Sequence, residues 1–153
     1  MPSKSAGIVA FRRRRGTTEV LLVHPGGPFW RNKDLGAWSI PKGEYGASEV
    51  PEDVARREFA EELGVEMTGK LLALGEIRQR GGKIVTAFAT EADVDVANIR
   101  SNTFEIEWPP RSGKRQAFPE VDRAEWFDLD AARAKINGGQ MALLDRIETI
   151  SGR

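Results

Sequence analysis

The segment Pro51–Leu63, PEDVARREFAEEL, constrains the fold of this chain more than any other stretch. Ala55, Phe59 and Leu63 recur at i, i+4 and i+8, which predicts a helix with one apolar stripe. Pro51 is tolerated in a first turn, where its missing N–H is not needed, and Gly64 stands where a helix stops. Glu58, Glu61 and Glu62, at i, i+3 and i+4, share a neighbouring face. Such a helix docks its stripe on a sheet and gathers three like charges beside the contact. Their repulsion destabilises the arrangement unless a cation or a basic group offsets it. Arg57 can do part of this, through Glu61 at i+4 or through Glu49 folded back from the preceding loop.

Composition narrows the chemistry. The chain has 153 residues, suited to one domain, and we read residues 1–153 as a single unit. Lys and Arg number 23 and so do Asp and Glu, a balance that argues against a nucleic-acid partner. No apolar run approaches the ~18 residues of a membrane helix. The start, Met1 to Ser5, leads into an apolar stretch broken by Arg12–Arg15 and does not read as a signal peptide, so a cytoplasmic location is expected. There is no cysteine and one histidine, His24. Disulfides, thiolate nucleophiles and Cys- or His-rich zinc sites are thereby excluded. Clustered carboxylates without His or Cys suit a hard, oxygen-loving ion, Mg²⁺ or Mn²⁺, which offsets charge on phosphate oxygens. Taken alone, the three glutamates also fit a solvated acidic face.

Ala6–Phe11 and Val20–His24 read as strands flanking a polar turn over Arg12–Thr18, with the basic run as a solvated strand end rather than a phosphate patch. Pro25–Ala37 reads as a loop and Trp38–Pro41 as a brief extended segment. Leu71–Arg78 and Lys83–Thr90 form a hairpin around Gly81-Gly82. Thr103–Trp108 and Glu125–Asp128 are further strands, and Asp130–Ile136 and Gln140–Ile150 are helices. Trp126, Phe127, Leu143, Leu144, Ile147 and Ile150 are assigned to the core. The order of elements predicts an α+β or three-layer domain.

The wider spacing around the helix decides between the two readings of its glutamates. From Gly43 to Val65 the chain reads Gly, five residues, Glu49, seven residues, Arg57-Glu58, two residues, Glu61-Glu62, one residue, Gly64 and an apolar residue. These fixed letters coincide by chance on the order of once per 10⁸–10⁹ start positions. This is the Nudix box, and the chain resembles the Nudix hydrolases. The resemblance implies an α/β/α sandwich with a mixed sheet, the box forming a loop–helix–loop that holds divalent metal. It implies hydrolysis of a nucleoside diphosphate linked to another moiety, by water attack on phosphorus. Position by position, it makes Glu58, Glu61 and Glu62 metal ligands, one of them assisting in activating water. It makes the Lys42 carbonyl a further ligand, Arg57 and Glu49 a loop-shaping ion pair, and Gly43 a tight turn.

Trp38–Gly43 and the distance from Glu120 to Trp126 are similar to the diadenosine tetraphosphate hydrolase branch, in which a glutamate so placed supplies an extra carboxylate near the metals. Glu120 is accordingly the candidate fourth ligand or general base, with Glu105 and Glu107 as competitors and a surface-loop role as the alternative. Lys42 can reach a phosphate, and Tyr45 can stack on a base or lie exposed. The stretch from Asn98 to Phe118 is longer than that branch leads one to expect. It is either a basic lid, through Arg111, Lys114 and Arg115, or a structural flap with Trp108 in the core. Phe29-Trp30 carries the same ambiguity, and His24 is read as structural or exposed rather than catalytic. The expected partner is a small nucleotide or polyphosphate. A triphosphate or ADP-ribose hydrolase, or a non-catalytic nucleotide sensor, is the alternative.

Overall fold

The computed structural model describes residues 3–151; Met1, Pro2, Gly152 and Arg153, included in the single-domain and N-terminal expectations, lie outside them. In chain order the strands are β1 (Lys4–Arg14), β2 (Thr17–Pro25), β3 (Lys42–Glu44), β4 (Leu72–Arg78), β5 (Ile84–Glu91), β6 (Thr103–Glu107), β7 (Arg115–Pro119) and β8 (Val121–Asp128). The helices are α1 (Pro51–Leu63), α2 (Leu129–Lys135) and α3 (Met141–Ser151). Six strands form one mixed sheet in the order β4-β5-β1-β2-β8, with β3 on the N-terminal half of β1, and β6 pairs only with β7. β1 runs parallel to β5 and antiparallel to β2 and β3.

Ala6–Phe11 is buried throughout because β1 is covered on both faces, and its period-two alternation divides the core. Ala6, Ile8 and Ala10 face α1 and pack with Val54, Ala55, Phe59 and Leu63. Val9 and Phe11 face the other way, towards Trp38, Ile136, Leu143, Leu144 and Ile147. The α/β/α layering implied by the box is therefore present, with α1 alone on one face and α2 and α3 on the other.

Several boundaries differ from expectation. The first turn is only Arg15-Gly16, both at positive φ, and the strands continue through Arg12 and Thr18. Arg12 is bonded to Glu19 and Asp93 and lies over the Trp126 ring at 4.2 Å, so its charge is engaged within the fold. Trp38–Pro41 makes isolated bridges through Trp38 and Ser39 before β3 begins. Buried Gln140 holds it: its carboxamide oxygen accepts from the Ile40 N–H and its nitrogen donates to Ser39 Oγ.

Asn98–Phe118 is largely a β6–β7 hairpin, and β7 was not anticipated. Trp108 stands half-exposed near its tip, edge-on to Phe29 at 5.5 Å, and so is not core. Ile150 is exposed as well, one turn beyond the buried stripe of α3. His24 is buried, with Nδ1 bonded to Asp122 and Nε2 to the Lys33 carbonyl, which bears out the structural reading.

Because α1 is held by a few large side chains, Phe59→Ala is expected to lower unfolding free energy by about 3–5 kcal/mol. The exposed Phe29→Ala should change it by less than about 0.5 kcal/mol. Denaturant titration of both variants measures the difference.

Candidate active site

The glutamates of α1 lie near Lys42 because α1 docks beside β3. Its N-terminus has Val50 as N-cap without a side-chain bond, but Pro51 fits the first turn and Glu52 and Asp53 meet the positive end of the helix dipole. Its C-terminus turns at Gly64, φ 72°, where a Cβ would also come within 2.8–3.1 Å of Arg100 atoms. The stripe of α1 is buried as the spacing predicted. The glutamate face is not uniformly open, however: Glu62 is only 9% exposed, whereas Glu61 is half-buried.

Gly43 does not make a tight turn. It lies within β3, paired with Ala6, and the box therefore opens in a strand. Its lack of a side chain serves another purpose, since a Cβ there would stand 2.0 Å from the carboxyl carbon of Glu58. Glu49 shapes the connection to the helix: one oxygen accepts from the Gly46 N–H at 2.9 Å and the other from Arg57 at 2.8 Å. Arg57 also lies 3.7 Å from Glu58 and 3.9 Å from Glu61, so both of its expected partners are engaged.

Glu120 joins this group from the β7–β8 junction. A cavity of about 170 Å³ is lined by Lys42, Glu62 and Glu120 together with Pro25, Ser39 and Ile40. Burial, then repulsion from Glu58 and Glu120 opposed by the Lys42 charge, pushes the Glu62 carboxyl up to about 8. Burial and Glu61 raise Glu58, and the same two causes raise Glu120. Lys42 is lowered, chiefly by burial, against the pull of Glu62.

Glu58, Glu62 and Glu120 are carboxylates whose charge burial and repulsion penalise. A divalent cation relieves the repulsion and offsets the lost solvation, so the residues fit Mg²⁺ or Mn²⁺. Among the described residues no three acidic or histidine side chains already converge as a finished coordination shell. Glu58 and Glu61 instead lean on Arg57.

The other candidates lie apart. Glu105 is exposed and paired with Arg115, while Glu107 accepts from the Gly113 N–H, so neither competitor reaches the cavity. Tyr45 packs against the α1 side of the core and lines a separate groove with Glu44 and Pro51. Arg111, Lys114 and Arg115 are exposed at the hairpin tip. Arg115 is separated from the β7 end at Pro119 by about 13 Å of strand. Sequence reasoning did not foresee that Pro25, Ser39 and Ile40 line the cavity; the extended segment at Trp38–Pro41 was the only hint.

Two measurements follow from this geometry. Folded Glu62 retains a proton that the unfolded chain releases, so between pH 4.5 and about 8 stability should fall as pH rises. With metal chelated, the thermal midpoint of Glu62→Gln should fall less over that window than that of the unaltered protein. Gly43→Ala should displace the Glu58 carboxyl more than the backbone, leaving the fold intact while weakening Mn²⁺ binding about 10-fold or more by calorimetry.

Comparison with known proteins agrees with this architecture. A family model described as the NUDIX domain matches residues 1–146. No curated protein sequence matches significantly. Among solved structures, a C. elegans Ap4A hydrolase binary complex is similar with a TM-score of 0.68 at 19% identity, over 97% of this chain and 98% of that one. The NUDIX domain of Shewanella oneidensis NrtR, complexed with ADP ribose, is similar with a TM-score of 0.66 at 17% identity, over 99% and 89%. A MutT protein from Methanosarcina mazei Go1 gives 0.63 at 17% identity, over 99% and 97%. At these identities the structures speak for the fold, and the family model for membership: this chain belongs to the NUDIX domain family.

Proposed function

We propose that the chain is a divalent-metal-dependent pyrophosphohydrolase that cleaves a nucleoside diphosphate linked to another moiety by attack of water on phosphorus. The substrate we infer is a dinucleoside polyphosphate such as diadenosine tetraphosphate, in the cytoplasmic pool. The observation that carries this reading is the cavity shared by Lys42, Glu62 and Glu120 beside α1. At about 170 Å³ it is smaller than the ~300–1,000 Å³ of a pocket that encloses a whole small ligand. It suits the reacting phosphates and leaves the nucleosides on the open surface, as a long phosphate bridge permits.

In this reading Glu58, Glu61, Glu62 and Glu120, with the Lys42 carbonyl, would hold the metal. When bound, the ion supplies charge neutralisation on phosphate oxygens and acidifies water. The Lys42 ammonium adds a point charge against a phosphate oxygen. One carboxylate, Glu120 or a member of the helix group, accepts the proton from attacking water. Arg57, anchored by Glu49, steadies Glu58 and Glu61. Arg111, Lys114 and Arg115 meet only the far part of an extended substrate, and Arg115 shares its charge with Glu105. Tyr45 lies on another groove and contacts substrate only if the nucleoside extends there.

The C. elegans neighbour is described as an Ap4A hydrolase, which supports this substrate class. The NrtR domain, complexed with ADP ribose, supports ADP-ribose hydrolysis as the second reading. The protein with Mg²⁺ should therefore be incubated with diadenosine tetraphosphate, ATP, 8-oxo-dGTP, ADP-ribose and a diphosphoinositol phosphate, and the products separated by anion exchange. Equal amounts of ATP and AMP are expected from diadenosine tetraphosphate, with the rate reduced about 100-fold or more in Glu62→Gln and lost on chelation. Turnover of ADP-ribose alone would transfer the assignment to the second reading. Nucleotide binding with no turnover of any compound would make the protein a sensor.

A further inference from the structure

Glu120 stands at a joint between two sheets. β7 ends at Pro119, paired with Thr103 in the hairpin, and β8 begins at Val121, paired with Pro25 in the main sheet. A residue between two ladders is fixed only by whatever bonds its own peptide groups find. Here the Glu120 N–H donates to the Asn102 carbonyl at 2.8 Å, and its carbonyl accepts from the Gly26 N–H at 2.9 Å. The next N–H, that of Val121, donates to Ser101 Oγ at 2.9 Å. The Ser101 hydroxyl in turn donates to the Asn102 carbonyl at 2.8 Å.

The same short segment grips the end of α1. The Asn102 N–H donates to the Glu61 carbonyl at 2.8 Å and the Arg100 N–H to the Leu63 carbonyl at 2.9 Å. Residues 100–102 are thus a strap between the helix that carries Glu58, Glu61 and Glu62 and the joint that carries Glu120. Within this strap the Ser101 hydroxyl is the side-chain link, and the other named bonds are backbone to backbone. It is therefore the link a substitution can remove.

We propose that Ser101 is a positioning residue for Glu120: its hydroxyl ties the β7–β8 joint to the strap and so fixes the Glu120 carboxylate relative to the glutamates of α1. The inference rests on the reading of Glu120 as a metal-holding or proton-accepting carboxylate. Active-site groups displaced by about 1 Å lose rate by up to about 100-fold, so loss of the link shows in turnover and metal affinity more than in substrate binding.

The test is a double-mutant cycle of Ser101→Ala and Glu120→Gln, read by kcat and KM on the substrate the panel identifies and by Mn²⁺ dissociation constant from calorimetry. Ser101→Ala is expected to lower kcat about 10-fold and weaken Mn²⁺ about 5-fold, with KM within about 2-fold. Ser101→Thr, which keeps the hydroxyl, should recover both. In the Glu120→Gln background Ser101→Ala should change neither by more than about 2-fold, because the group it positions is already gone. Losses that multiply in the double variant, or an unaffected Ser101→Ala, would overturn the inference. If Ser101→Ala does not fold, Ser101→Cys, a weaker acceptor of similar size, should give an intermediate loss that Glu120→Gln masks; an unmasked loss also overturns it. Wild-type kcat and Mn²⁺ affinity in Glu120→Gln alone would remove the reading of Glu120 and the inference with it. An impaired Glu120→Gln beside an intact Ser101→Ala would remove the inference only.

Discussion

Ala55, Phe59 and Leu63 press α1 against Ala6, Ile8 and Ala10 of β1, and the geometry of the acidic residues follows from that contact. Apolar burial is non-directional, but a helix docked along one stripe has its rotation fixed. That rotation turns Glu62 inward beside Lys42 and leaves Glu58 against the bare backbone of Gly43. Repulsion among the carboxylates opposes the arrangement, so the favourable energy has to come from outside the group. The apolar stripe provides it on one side and Arg57, anchored through Glu49, on the other.

What could be read in the sequence was what is local. The α1 stripe, its stop at Gly64, the Gly81-Gly82 hairpin and the covered β1 strand each follow from spacing within a few turns or a single strand. The box spacing added the three-layer fold, which the family match and the sheet order bear out. The burial of Glu62 was not legible, because on a helical wheel it belongs with Glu58 and Glu61. Lys42, twenty residues earlier in the chain and outside the helix, comes beside it only in the folded chain. The role of Gly43 was misjudged for the same reason: the neighbour that excludes a side chain there comes from the following helix, and no turn is involved.

The stretch from Asn98 to Phe118 was the least legible. Arg115-Gln116-Ala117 is exposed along β7, so nothing in its pattern marks an inward face. Its strand character is set by its register with β6. Ile150 illustrates the complementary error, in which a large apolar residue was assigned to the core although it sits at an element's end, where solvent reaches it. Glu120 was singled out by its distance to Trp126, whereas the bonds that hold its backbone reach Asn102, 18 residues earlier, and Gly26, 94 residues earlier, and could not be seen without the fold.

The separateness of the β6–β7 sheet has a further consequence. Among the described residues its two strands pair with each other alone; backbone bonds join it to the main body at its root, through Asn102 and Glu120, and side chains touch it at Phe104 and Trp108. Adding or removing residue pairs at the tip would lengthen or shorten the ribbon without altering the register of any strand in the main sheet, and loop closure changes only slowly with length. The fold thus separates a part whose dimensions are free to drift from one in which a single inserted residue would be felt at once. Over evolutionary time, the outer half of this hairpin is where related chains can diverge in length while their chemistry stays in place.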